Sequence, residues 1–535
     1  MRKKAKTALK ILLISTSILF SIKGQAQHPI AVPHERTIHW KTQSDFAQKV
    51  YESFANKKLN PDKISERGSS PRTFSAKLLL KRDVEEVNTL IQKMTVRGVT
   101  GSHWALNPKG DYDFTLMPLT TILYLFDDKP DLLYPKTKDY LVNVLLTEKG
   151  DKYRRAVPKT LGLVADTENH ILMTEGSRYL KNRWLMLHGN TNPNYDNVKN
   201  GMEAKILAYL ERMKTRGLYE FNSIPYIGYT LAALLNLEGF ASDKVRTEAR
   251  NVLDYMNWTY ALGSYQLRHY PPMRRRYEKS VIQELMTDYQ SMFMKSWLSY
   301  APIADFDTNT SHGEVHALVA ACMPYRPADK VVDLIFNKGN GYFVKLGHGK
   351  RSCPEIFTAG KHYLLSAGGA NQGKRSLIVA RPTTLFLNDE ATKLPETFHL
   401  TGRGTDFMKW NNTGVYKNFA CASGSVSVPT GFKSVANEGN WSIYATNDGV
   451  LIAVYATDNL GLMAVFEDNT AENLLKSLIQ SNRDAAQLRT QFQMPNGEKI
   501  VYDVNAPRNK WVIKSINGKA VDRNFHKWDL ISGDL

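Results

Sequence analysis

The sequence predicts a multidomain chain, helical in its first part and antiparallel β in its second. Three observations carry this. Apolar residues recur at helical spacing from about residue 40 to 325. Beyond about residue 330, short runs rich in β-branched and aromatic residues replace them. With 535 residues the chain is also too long for one ordinary core. The expected division is a signal peptide over 1–26, an (α/α) toroid over 27–325 and an antiparallel β-sandwich domain over 326–535. The toroid is an incomplete barrel of helical hairpins.

The first residues read as an export signal. Arg2, Lys3, Lys4 and Lys6 form a basic start, Ile11 to Ile22 is apolar, and Gly24 and Ala26 fit a cleavage site before Gln27. The apolar run is shorter than the roughly 20 residues a membrane helix needs. The expectation is a periplasmic or secreted protein with no membrane insertion after cleavage.

In the helical part, Met202, Ile206, Leu210 and Met213 share one helix face, as do Val245, Ala249, Val252, Leu253 and Met256. Further helices are expected near 43–56, 83–95, 115–126, 135–147, 167–181, 225–237 and 281–298. Their connections are short and hold Gly, Pro or Asn, which makes a run of antiparallel helix pairs. In the second part, strands are expected at Ser376 to Ala380, Trp441 to Thr446, Val450 to Ala456, Leu460 to Phe466 and Trp511 to Ile516. Asp448-Gly449 between two of these is a tight-hairpin signal, and Asn496-Gly497 and Asn517-Gly518 mark further turns. One helix, Ala471 to Leu478, interrupts the strands.

Charge narrows the partners. The whole chain is +18. Removing Arg2, Lys3, Lys4, Lys6, Lys10 and Lys23 with the leader leaves 64 of the 70 basic residues against 52 acidic, a net +12. No nucleic-acid motif and no basic amphipathic membrane segment is present, so an acidic polysaccharide or oligosaccharide is the expected partner. Cys322, Cys353 and Cys421 are too few and too scattered for a disulfide framework or a zinc motif. Small buried residues, or one bridge with a thiol left over, are the readings open to them.

Two segments concentrate polar and aromatic residues at helix starts. Asp166-Thr167-Glu168-Asn169-His170 leads into a helix carrying Leu172, Met173, Gly176, Tyr179 and Leu180. Polar residues in that place serve equally well as caps. Gly217 to Thr230 holds Tyr219, Tyr226 and Tyr229, with Pro225 placed to open a helix. Tyrosines there commonly pack with a wet hydroxyl.

Taken together, Thr167-Glu168-Asn169-His170 and the downstream Gly-x-Tyr-Glu-x-x-Ser-x-x-Tyr-x-x-x-Thr pattern resemble the toroid-plus-sheet polysaccharide lyases. That group includes alginate lyases and heparinase II/III-like proteins, and the order of helices and strands agrees with it. The resemblance implies β-elimination on a uronate, with Asn169 neutralising the substrate carboxylate, His170 taking or relaying the C5 proton and Tyr226 protonating the leaving oxygen. Tyr229 is the alternative phenol. A histidine with a reference pKa near 6.5 suits a proton acceptor. The enolate-like intermediate needs its charge neutralised. No organic cofactor is expected, and a structural metal ion stays open.

Other residues fit substrate contacts. Arg274 and Arg275, in Arg268 to Tyr277, suit bidentate carboxylate binding, and His269 lies in the same run. Trp104, Asn107 and Asp113 precede another helix, with a sugar-stacking ring and polar groups that bind hydroxyls. His348 and His362 in the sheet part are both eligible to complete a site. Two rivals stand beside the lyase: a toroid glycoside hydrolase using Asp113, Asp166 or Glu168, and a glycan-binding protein without catalysis.

Overall fold

A computed structural model describes residues 29–61, 70–98, 110–157, 160–224, 226–275, 281–303, 315–349, 353–368, 378–403 and 413–535. The leader, Trp104 and Asn107 lie outside these residues. The order is α then β. The first part runs through α1 (Asp45–Ala55), α2 (Pro71–Leu79), α3 (Val84–Lys93), α4 (Asp113–Phe126), α5 (Pro135–Tyr140), α6 (Glu168–Ile171) and α7 (Ser177–Leu187). It continues with α8 (Met202–Arg216), α9 (Tyr226–Phe240), α10 (Asp243–Gly263), α11 (Tyr289–Leu298), α12 (Val315–Cys322) and α13 (Asp329–Phe336). Helix therefore persists about ten residues beyond 325. Serines and an aspartate start several of these helices: Ser44 Oγ accepts from Ala47 N at 3.0 Å and Asp288 Oδ1 from Ser291 N at 2.6 Å.

Helix α9 is apolar all round and buried along most of its length, so it lies inside the helical part. It packs on α10, α4 and the π-helical turn Leu172–Gly176 that links α6 to α7. Buried polar ties fix its register against α4: Thr121 Oγ1 donates to Asn236 Oδ1 at 2.8 Å, and Asn236 Nδ2 to Met117 O at 3.1 Å. The π turn displaces α6 from the frame of α7, a distortion that recurs at functional sites.

Among the described residues, the second part holds a seven-stranded and a six-stranded antiparallel sheet and a smaller four-stranded one. In the seven-stranded sheet Tyr342, Val344, Leu346, Phe357 and Leu364 join the helical core, while Phe343, Ile356, Tyr363 and Leu365 join the core of the six-stranded sheet. Both faces are therefore covered, and these strands are buried along their whole length, with Lys345, Glu355, Thr358 and Ser366 among the apolar residues. The expected hairpin at Asp448-Gly449 joins Trp441–Ala445 to Leu451–Thr457, with Gly449 at φ +85°. Ala471–Ser481 is helical, as the sequence indicates. The three cysteines are unpaired; Cys353 and Cys421 are buried and Cys322 is half-buried. Among the described residues no helix is long and apolar enough to cross a membrane.

Residues 29–41 strap the helical part to the last strand. Ile30 N donates to Ile531 O at 3.2 Å and Lys41 N to Tyr300 O at 2.8 Å. The strap is anchored on the fully buried Asp254, which receives Arg36 Nη2 and Tyr325 Oη (2.8 Å) and pairs with His34 Nδ1 at 2.7 Å. Asp254→Ala leaves these groups without their acceptor. It is expected to cost about 3–5 kcal/mol in urea unfolding, and a cost under about 1 kcal/mol would show the strap to be dispensable.

Candidate functional site

Three helix starts meet here: α4 brings Asp113 and Phe114, α6 brings Glu168, Asn169 and His170, and α9 brings Tyr226 and Tyr229. His170 Nδ1 pairs with Asp113 Oδ2 at 2.6 Å, and both side chains are largely buried. The ring of Phe114 stands edge-on to His170 at 5.4 Å and to Tyr229 at 4.7 Å. The Arg72 guanidinium, from α2, lies 4.8 Å from the Tyr229 ring and 5.9 Å from that of Phe114. His316 and Tyr289 close this side, 5.8 Å and 6.3 Å from Tyr229.

A second chain of contacts runs behind the first. Asn169 Nδ2 donates to Glu220 Oε2 and to Thr167 Oγ1 (3.1 Å), and Arg275 Nη1 pairs with the other oxygen of Glu220. Arg275 then covers the Tyr226 ring at 4.6 Å. Glu168 Oε1 accepts from Glu220 N at 2.6 Å. Asn169 is wholly buried; its Nδ2 is spent on Glu220 and Thr167 while its Oδ1 has no hydrogen-bond partner, so the position expected to face a substrate carboxylate makes internal contacts through its nitrogen.

The electrostatics follow from burial and these pairs. Burial works against a charged His170, but the charge and hydrogen bond of Asp113, with Asp166 and Asp111 behind, outweigh it and raise its pKa to about 9. Burial, and then the charge of Glu220, raise Glu168 to about 7. Burial, helped by the charge of Arg72, drops His316 to about 3, so it stays neutral.

The other expected residues divide. Arg274 stacks on Tyr219 at 3.4 Å, and its backbone N–H donates to Phe221 O at 3.1 Å, which ties the 217–224 loop to the strand Met273–Arg274. His348 pairs with Glu355, stacks on Phe221 at 3.7 Å and borders a cavity of about 20 Å³, the size of one water, with Asn222 and Tyr255. His269 sits apart in the core, 2.5 Å from Asp288 Oδ2 and against Tyr260. That Asp288 also caps α11, while the buried Nε2 of His269 has no hydrogen-bond partner. Sequence reasoning missed Arg72, His316, Tyr289 and the linking role of Glu220. Arg72 follows Ser70-Pro71 at an ordinary helix start, and nothing local distinguishes it.

No protein-family model matches the chain, and no curated protein matches it significantly.

Proposed function

We propose that the chain is an exported polysaccharide lyase that cleaves a uronate-containing glycan by β-elimination. In this reading the helical hairpins form the toroid and the antiparallel sheets the sandwich of that architecture, and the site lies at the helix starts described above. The juxtaposition of the His170–Asp113 pair with Tyr229 across Phe114 carries the reading. Asp113 fixes the imidazole through Nδ1, which turns Nε2 toward its task as base. His170 Nε2 takes the C5 proton of the uronate, and those electrons form the C4–C5 double bond. The bond from C4 to the glycosidic oxygen breaks, and a tyrosine hydroxyl, from Tyr226 or Tyr229, gives that oxygen a proton. Asn169 and Arg275 hold Glu220 and thereby the first turn of α6 and the approach to Tyr226.

The test is ultraviolet absorbance of an unsaturated uronate, using purified protein with alginate, heparan sulfate, chondroitin sulfate, hyaluronan and a rhamnose–glucuronate polymer. The expected result is a rise on at least one glycan, abolished in His170→Ala and strongly reduced in either Tyr226→Phe or Tyr229→Phe. New reducing ends without the absorbance would replace the lyase with a hydrolase.

A further inference from the structure

Arg72 is about nine-tenths buried, yet its Nε and Nη2 have no hydrogen-bond partner. Among the described residues no carboxylate pairs with it. The nearby acid, Asp113, is committed to His170. The groups against the guanidinium are the rings of Tyr229 and Phe114, and the neighbouring His316 is neutral. A buried cation without a counter-charge is costly, and ring faces return only about 0.5–2 kcal/mol. The two arginines that the sequence offered for anion binding lie elsewhere in contacts of their own: Arg275 is held by Glu220 and Arg274 stacks on Tyr219.

We infer that Arg72 is the anion-receiving residue of the site, and that its unpaired N–H groups take the carboxylate of a uronate sugar. The planar fork of a guanidinium matches a carboxylate with two parallel hydrogen bonds. Bound there, the carboxylate lies beside Tyr229 and Phe114, the ring that also packs against His170. The same charge that binds the carboxylate stabilises the enolate-like intermediate during C5 deprotonation. This rests on the lyase reading only for naming the anion as a uronate; carboxylate binding at Arg72 is independent of turnover.

The test is calorimetric binding at neutral pH to the intact protein and its Arg72→Met and Arg72→Lys variants. The probes are a hyaluronan tetrasaccharide and a mannuronate tetrasaccharide, each beside its carboxyl-reduced, neutral counterpart. The wild type is expected to prefer at least one acidic probe, and Arg72→Met to lose about 10- to 100-fold of that preference, with Arg72→Lys between them. Thermal melting supplies the control: Arg72→Met removes an uncompensated charge and should melt no lower than the wild type without ligand. Equal binding of acidic and reduced probes by the wild type, or no binding of either, overturns the inference. So does an unliganded Arg72→Met protein that melts markedly lower, since Arg72 would then be a packing residue. Carboxylate-selective binding lost in Arg72→Met, without ultraviolet absorbance on any glycan, keeps the anion site and rejects the lyase.

Discussion

His170→Ala is expected to lose about 10²- to 10⁴-fold in kcat/KM, the span that a positioned general base contributes. A more specific expectation concerns pH. With Asp113 holding its pKa at about 9, only about one molecule in a hundred carries the neutral, proton-accepting imidazole at pH 7. The rate should therefore climb about tenfold per unit from pH 7 to 8 and level above about 9. Asp113→Asn removes the largest influence raising that pKa, while burial, which lowers it, remains. The rising limb should then move to lower pH, and the plateau should fall because the imidazole is less firmly oriented. A profile flat from pH 7 to 9 would move proton acceptance from His170 to a tyrosine. Stability carries the opposite sign. A histidine whose folded pKa lies above its unfolded value of about 6.5 stabilises the fold fully below that pH, and the contribution disappears as pH rises through about 9. The pH range that activates the site is thus the one in which this pair stops supporting it, and urea midpoints at pH 6 and 9.5 would display the exchange.

The α-then-β order was legible because periodicity records burial, and burial differs between the parts. The first half of helix α10 buries one stripe, so Val245, Ala249 and Val252 return at helical spacing, while from Val252 onward the helix is buried nearly all round. The hairpin at Asp448-Gly449 was legible because a left-handed turn residue is a local demand. Helix α9 was harder, since full burial erases the stripe and leaves only length and composition. The π turn Leu172–Gly176 was not legible, because Leu-Met-Thr-Glu-Gly suits an ordinary α-helical turn equally well. The same boundary divides the site. Asn169, His170, Tyr226 and Tyr229 stood out as polar and aromatic groups at helix starts, and the fold brings them together. Arg72 comes from 98 residues before His170 and Glu220 from 50 residues after it. Their roles arise from tertiary neighbours that no local pattern encodes. His269, conspicuous in the sequence, lies apart from them and pairs with Asp288, the residue that caps α11.

Glu220 is the position where scaffold and site are hardest to separate, and its replacement should be the most damaging to stability within the site. Its side chain is 1% exposed, and its two oxygens receive Asn169 and Arg275. Glu220→Ala leaves the buried Asn169 amide with Thr167 Oγ1 as its remaining acceptor and takes the counter-charge from Arg275. Losing one partner of a buried pair costs about 3–5 kcal/mol, and because Arg275 is 32% exposed and can rehydrate, the lower end is expected in urea unfolding at pH 7. Glu220→Gln separates the terms. A glutamine oxygen still accepts from Asn169, so its penalty should be less than half that of alanine, while Arg275 loses its charge partner in both. Glu168 provides a second reading of the same change. Burial, and then the charge of Glu220, hold it near 7, so the folded protein binds a proton there that the unfolded chain releases near 4.5. This contribution is present below about pH 4.5 and lost as pH rises through about 7. Removing the Glu220 charge lowers the Glu168 pKa and weakens that decline. The stability difference between wild type and Glu220→Gln should therefore be larger at pH 5 than at pH 7. An equal difference at both pH values would mean that the two carboxyls do not sense each other, and Glu220 would then act on the site through Asn169 and Arg275 alone.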